Sequence, residues 1–306
     1  MSSILVFPGQ GAQRPGMLQS VCAQTMSEAS DVLGEDAWRL DSIEALNSTR
    51  AVQLCLLIAG VAASRALSQH DLKTDFVAGL SIGAYPAAVA AGALRFDDAL
   101  RLVSLRGTLM QDAYPDGYGM TAILGLDVPA VERILREVQS EDAPVYLANI
   151  NADNQVVIAG SDDAMIRVAR LAKERGAGLA KRLAVSVPSH CLLLQEPAQS
   201  LAKAFQQVQL ATPSRGYISG SSARRVIHIE ALRDDLAFNM CRLVDWRGAM
   251  QNAFERGVRL HLEAPPGAVL TNLGRRVFGP GCTMAFDTTR MDTVEALLRK
   301  EEAQPI

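Results

Sequence analysis

Short unbroken apolar runs alternate with longer helical ones in the first third of the chain. Residues 3–7 (Ser-Ile-Leu-Val-Phe, closed by Pro8-Gly9) and 75–80 read as buried strands, because a strand covered on both faces loses its polar alternation. Residues 51–67 are apolar on every face over a helical length and predict a buried helix. Residues 97–112 carry one apolar face, with Leu100, Val103, Leu105 and Met110, and place Arg101 and Arg106 between them. An alanine-rich helix is expected directly after Gly83. The alternation predicts an α/β layered domain with a mostly parallel sheet.

The pattern changes after Tyr114-Pro115-Asp116-Gly117. An apolar run at 120–126 precedes a helix opening near Asp127-Val128-Pro129. Then come a strand at 145–150, a turn at 151–154, a strand at 156–159, a helix at 161–175 and a strand at 179–187. This is the βαββαβ order of a ferredoxin-like unit. The expected organisation is therefore a large α/β domain, residues 1–114 and 190–306, carrying an inserted ferredoxin-like small domain, residues 115–189.

Composition narrows the function. The chain has 306 residues, is 49% hydrophobic and 21% charged, and has a formal net charge of −3. That suits a globule with a substantial core and gives no basic face for nucleic acid. Five scattered cysteines without a C-x-x-C pair, and four histidines without H-E-x-x-H spacing, point away from disulfides and metal. The N-terminal apolar run ends at Pro8 and has no basic segment before it, so no export signal is expected. Residues 76–94 are uncharged and long enough to cross a bilayer, but their glycines, Pro86 and alanines fit strand–turn–helix packing better than lipid. The expectation is a cytoplasmic protein that engages no membrane.

The strongest chemical signal is Gly79-Leu80-Ser81-Ile82-Gly83, a G-x-S-x-G run between a predicted strand and a predicted helix. Glycines permit the strained turn that exposes a serine oxygen, so Ser81 is a candidate nucleophile. His190, in Val187-Pro188-Ser189-His190, is a candidate base, although spacing alone slightly favours a histidine satisfied in the core or exposed on a loop. The loop Phe7-Pro8-Gly9-Gln10-Gly11 lacks the third glycine and the G-K-[ST] of phosphate loops; it could instead lend an N–H to an oxyanion. Arg106 reads as either a snorkelling surface side chain or a clamp for a substrate carboxylate.

Taken in order, FPGQGAQ, GLSIG, LRGTLMQ, NADNQVVIAG and VPSHC resemble the malonyl-CoA:acyl carrier protein transacylase family over nearly the whole chain. The resemblance implies an α/β-hydrolase-like large domain with an inserted ferredoxin-like domain. It implies Ser81 as nucleophile, His190 as base, N–H groups of Gln10 and Ile82 as the oxyanion hole, and Arg106 as the holder of the malonyl carboxylate. Malonyl-CoA and an acyl carrier protein are the implied partners, with no cofactor beyond the thioester itself.

Two positions depart from the family pattern. Leu80 stands where histidine commonly precedes the nucleophile. Asp245 aligns where a neutral or basic residue is usual, and reads either as the orienter of His190 or as a side chain that faces solvent or pairs with Arg242 or Arg247, leaving a backbone carbonyl to orient the base. Both departures are similar to the malonyl transacylase subunit of bacterial malonate decarboxylase, which implies further decarboxylase subunits and a carrier bearing a coenzyme-A-like prosthetic group. Housekeeping malonyl transfer in fatty-acid synthesis, a serine thioesterase and a non-catalytic scaffold subunit are the alternatives.

Overall fold

The computed structural model describes residues 2–279 and 282–302. Among the described residues eleven strands follow one another: β1 (Ser2–Phe7), β2 (Phe76–Gly79), β3 (Tyr118–Leu124), β4 (Val145–Ala152), β5 (Gln155–Ser161), β6 (Leu179–Arg182), β7 (Gly216–Ile218), β8 (Arg225–Val226), β9 (Val244–Asp245), β10 (Val258–Glu263) and β11 (Thr283–Ala285). They form two sheets within a mixed α/β fold.

The first sheet has the order β11-β10-β1-β2-β7-β8 and is parallel except for the edge strand β8. Its central strand β1 is buried on both faces, which is why its sequence shows no polar alternation. Leu5 and Phe7 point to one side, into a core built with the helices Thr49–Gln69 and Phe96–Ala113. Ile4 and Val6 point to the other, where Trp246, Met250, Leu270 and Leu273 cover them. From β1 the order runs to β2 on one side and β10 on the other. The carboxyl ends of β1 and β2 therefore lie side by side, Phe7 opposite Gly79, at the position where open α/β sheets open a crevice.

The second sheet has the order β6-β3-β5-β4-β9. Its first four strands are antiparallel neighbours and fall within 118–182, with the helices Val128–Val138 and Asp162–Glu174 packed on one face. The fifth, β9, comes from far along the chain and pairs in parallel with β4, Asn149 opposite Val244 and Ile150 opposite Asp245.

One predicted element is shorter than expected. The strand read at 179–187 stops at Arg182. There the Arg182 guanidinium turns onto the carbonyl of Tyr118 (2.5 Å), Leu183 N–H makes one more bond to Met120 O (2.9 Å), and the chain leaves the sheet as an irregular strap. The uncharged stretch 76–94 resolves into β2, a tight turn at Ser81–Gly83 and the helix Ala84–Ala90. Among the described residues, the one helix long and apolar enough to cross a membrane is Thr49–Gln69, and 78% of its most apolar window is buried inside the fold.

Candidate active site

Ser81 sits at the carboxyl end of β2 with φ of +57°, a left-handed backbone that a serine adopts only when its surroundings enforce it. The two flanking glycines make the turn sterically feasible. A Cβ on Gly79 would lie 1.9 Å from the Gly83 carbonyl carbon, and one on Gly83 would lie 2.2 Å from the Phe7 carbonyl oxygen. Leu80 N–H donates to that same Phe7 oxygen (3.0 Å), which ties the turn to the loop after β1.

His190 reaches Ser81 from the far end of the strap. Its Nε2 lies 2.9 Å from Ser81 Oγ and its Nδ1 lies 2.8 Å from the carbonyl oxygen of Asn239. A carbonyl only accepts, so Nδ1 carries the proton and Nε2 is left as the acceptor for the serine hydroxyl. His190 also has a positive φ, +65°, and its own N–H is held by Met240 O (2.7 Å). Burial, and then the nearby Arg106 cation, push its pKa down to about 4, with the Asn239 hydrogen bond acting the other way. The imidazole is therefore neutral, as a base must be, well below neutral pH.

Arg106 is fully buried. Its Nη1 donates to Gln53 Oε1 (2.7 Å), and its Nη2 reaches Asn239 Oδ1 (3.1 Å) and Ser81 Oγ (3.3 Å). Among the described residues no carboxylate forms an ion pair with it, and its Nε finds no acceptor. Burial pushes its pKa down, yet a guanidinium stays charged. A buried cation beside a nucleophile, with no carboxylate partner among the described residues, is costly unless an anion arrives to share the site.

Ser81 and His190 open into a cavity of about 340 Å³. Gln10 and Leu80 line it from the first sheet, Met120, Asn149 and Val157 from the second, and Leu270 from the helix Val269–Phe278. Gln10 is thus at the site, and Ile82 follows Ser81 in the buried turn. Cys191, next to the base, does not compete as a nucleophile: burial raises its thiol to about 12, and its Sγ donates to Pro188 O (3.2 Å).

Asp245 is a correction. Its carboxylate accepts from Gly248 N–H (2.9 Å) and caps the helix Trp246–Glu255, while Asn239 supplies the oxygen that orients His190. The neighbouring arginines are engaged elsewhere, Arg242 with Asp234 and Arg247 with Asp153. The apparent departure at Asp245 therefore lies outside the catalytic cluster, and the position that matters holds a neutral amide. Sequence reasoning missed Asn239 and Gln53. Nothing flags Asn239, since its key group is a backbone carbonyl. Gln53 was visible in principle as the lone amide in the otherwise apolar stretch 51–61.

The model of the acyl transferase domain family matches residues 4–298. The malonyl CoA-acyl carrier protein transacylase of Haemophilus influenzae is 39% identical over 287 residues, which cover 90% of this chain and 92% of that protein. The crystal structure of FabD from Acinetobacter baumannii superposes with a TM-score of 0.91 at 37% identity, covering 98% of each chain. A malonyl-transacylase solved in complex with a type II PKS acyl-carrier protein superposes with a TM-score of 0.90 at 37% identity, over 98% of this chain and 100% of that one. With a strained serine, a neutral histidine and an unpaired arginine on this fold, and with similarity running nearly end to end, the chain belongs to the malonyl CoA-acyl carrier protein transacylase family of acyl transferases.

Proposed function

We propose that the protein transfers a malonyl group from malonyl-CoA to the thiol of an acyl carrier protein through a malonyl-Ser81 ester. The observation that carries this reading is the fully buried Arg106, without a carboxylate partner among the described residues and 3.3 Å from Ser81 Oγ. A serine and histidine suffice for many acyl substrates; the unpaired cation favours one whose acyl end is itself a carboxylate.

In the first half-reaction Ser81 Oγ attacks the thioester carbonyl and passes its proton to His190 Nε2. The N–H groups of Gln10 and Ile82 would receive the oxyanion at the adjoining ends of β1 and β2. The C–S bond breaks, His190 returns the proton to the departing sulfur, and coenzyme A leaves. The carrier thiol then gives its proton to His190 and attacks the Ser81 ester, and the proton returns to Ser81 Oγ. Asn149 lines the cavity with a buried amide oxygen that has no partner among the described residues, and so offers an acceptor for an amide of the pantetheine arm.

The narrower reading, transfer to a carrier with an extended coenzyme-A-like group as in malonate decarboxylase, is supported only by Leu80, because Asp245 is a helix cap. A carrier with plain phosphopantetheine, as in fatty-acid synthesis, is the alternative. Comparing kcat/KM for the two carrier types decides between them.

Mass analysis of the protein mixed with malonyl-CoA should find a malonyl adduct on Ser81, absent from Ser81→Ala. His190→Ala should slow its formation by roughly 10²–10⁴-fold, the scale of a general base. Arg106→Ala should lose malonyl transfer by on the order of 10–100-fold while acetyl transfer holds or rises. An adduct on Cys191, or equal losses for both acyl groups in Arg106→Ala, would overturn the assignment.

A further inference from the structure

We propose that Asp235 is a positioning residue of the acyl-transfer site, acting through Asn239 on His190 and Arg106. The inference rests on the transfer reading above and extends it to a carboxylate that touches none of the reacting groups.

Asn239 is the residue at which the site converges. Its carbonyl takes His190 Nδ1–H, its Oδ1 takes Arg106 Nη2, and its Nδ2 donates to Ser81 O (3.3 Å). It follows directly on the helix Ile229–Phe238, and its own N–H bonds back to the carbonyl of Asp235, one turn earlier. The placement of three catalytic groups therefore depends on how firmly the last turn of that helix is held.

Two side-chain bonds hold it. The buried Asp235 carboxylate accepts from Tyr217 Oη (2.8 Å) on one oxygen and from Ser219 Oγ (2.6 Å) on the other. Ser219 Oγ in turn accepts the N–H groups of Ser221 (3.1 Å) and Ser222 (3.0 Å), which fixes its hydroxyl toward the carboxylate. The next residue, Leu236, has its carbonyl taken by the hydroxyl of Tyr85 (2.8 Å), whose ring lies 5.9 Å from the Arg106 guanidinium carbon.

Tyr217 lies on β7, which pairs with β2, the strand that ends at Ser81. Asp235 thus ties the helix leading to Asn239 to the neighbour of the strand leading to the nucleophile. It sets base and cation in register with the serine. The carboxylate gives the buried hydroxyls of Tyr217 and Ser219 their acceptors, and burial raises its pKa. An apolar side chain here would leave both hydroxyls without acceptors and the turn without its tie to the sheet.

The test uses the full chain and reads three quantities: the rate of malonyl-Ser81 formation, the thermal midpoint, and the downfield proton resonance of the His190 Nδ1–H···O=C bond. Asp235→Ala should slow acylation by on the order of 10²-fold, as a displacement of about 1 Å can, and should weaken or abolish the His190 resonance. Asp235→Asn, whose Oδ1 can accept from Ser219 Oγ while its Nδ2 donates to a rotated Tyr217 Oη, should recover most of the rate. Tyr217→Phe, which keeps Ser219 on the carboxylate, should fall between wild type and Asp235→Ala. If Asp235→Ala does not fold, the ordering of wild type, Asp235→Asn and Tyr217→Phe in rate and resonance decides. An unchanged acylation rate and resonance in folded Asp235→Ala or, where that variant does not fold, in Tyr217→Phe, or a fall in thermal midpoint alone, would overturn the proposal. Failure of the underlying transfer reading looks different: wild-type protein would then form no malonyl-Ser81 at all.

Discussion

At the scale of single residues, the cation that recognises substrate also sets the base. Arg106 repels the imidazolium form of His190, and with burial it holds the histidine near 4. Burial is the larger cause and the cation the second, so removing the cation should raise the pKa of His190 in Arg106→Ala. The acid limb of serine acylation in wild type is expected near pH 4. In Arg106→Ala it should move to higher pH, because protonated His190 accepts no proton from Ser81. An uncharged serine-directed reagent is the right probe, since lost malonyl binding then does not enter the profile. An acid limb that stays near 4 would mean that burial alone sets the histidine. How legible each residue was in the sequence follows from what it contributes. Ser81 was legible because its conformation demands particular neighbours, and glycine is a visible requirement. Arg106 and His190 contribute side chains, so resemblance could carry them over. Asn239 orients the base through a carbonyl that any residue possesses, and that contribution writes nothing into the sequence.

At the scale of elements, the turn around Ser81 is a steric lock between two strands and a helix. Gly83→Ala would drive a methyl group to 2.2 Å from the Phe7 carbonyl oxygen. The clash is with backbone, so no rotamer relieves it. Either the loop after β1 or the serine must move, and acylation should fall by on the order of 10²-fold even in protein that folds; wild-type kinetics in Gly83→Ala would show that the loop yields. Asp245 makes the opposite expectation. As a cap, its replacement by Ala should cost about 0.5–2 kcal/mol of stability, measurable by denaturant unfolding. The pH profile of acylation should not shift, because the His190 partner is elsewhere. The misplaced strand at 179–187 has a related cause. An apolar run signals burial, and the strap is indeed buried at Val185, which lines the cavity, and at Val187, which packs into the core with Leu5 and Phe7, but neither lies along a sheet. Hydrophobic pattern reports what a segment is shielded from water by, and is silent on whether its backbone has a strand beside it.

At the scale of the whole molecule, the alternation of strands and helices was enough to expect a mostly parallel sheet and, in the middle of the chain, a βαββαβ unit. What the pattern could not contain was β9. Two residues are too few for any periodicity, and their partner lies about ninety positions earlier in the chain. That small strand has a consequence for how the molecule could be divided. β4 is eight residues long and carries no charged side chain, Val-Tyr-Leu-Ala-Asn-Ile-Asn-Ala. Such a strand with a bare flank is a template for like strands from other molecules, and natural sheets guard against it with charge, proline or a cover. Here the guard is borrowed: Val244 and Asp245 close the flank at its centre. A fragment cut to residues 115–189 would keep every strand of the βαββαβ unit yet lose its guard, and should self-associate in sedimentation experiments in a manner that adding the 239–255 segment suppresses. A monomeric fragment would show that β4 protects itself. The expected result makes the long-range pairing a solubility device as much as a joint, so that this protein's two sheets are separable on paper and not in solution.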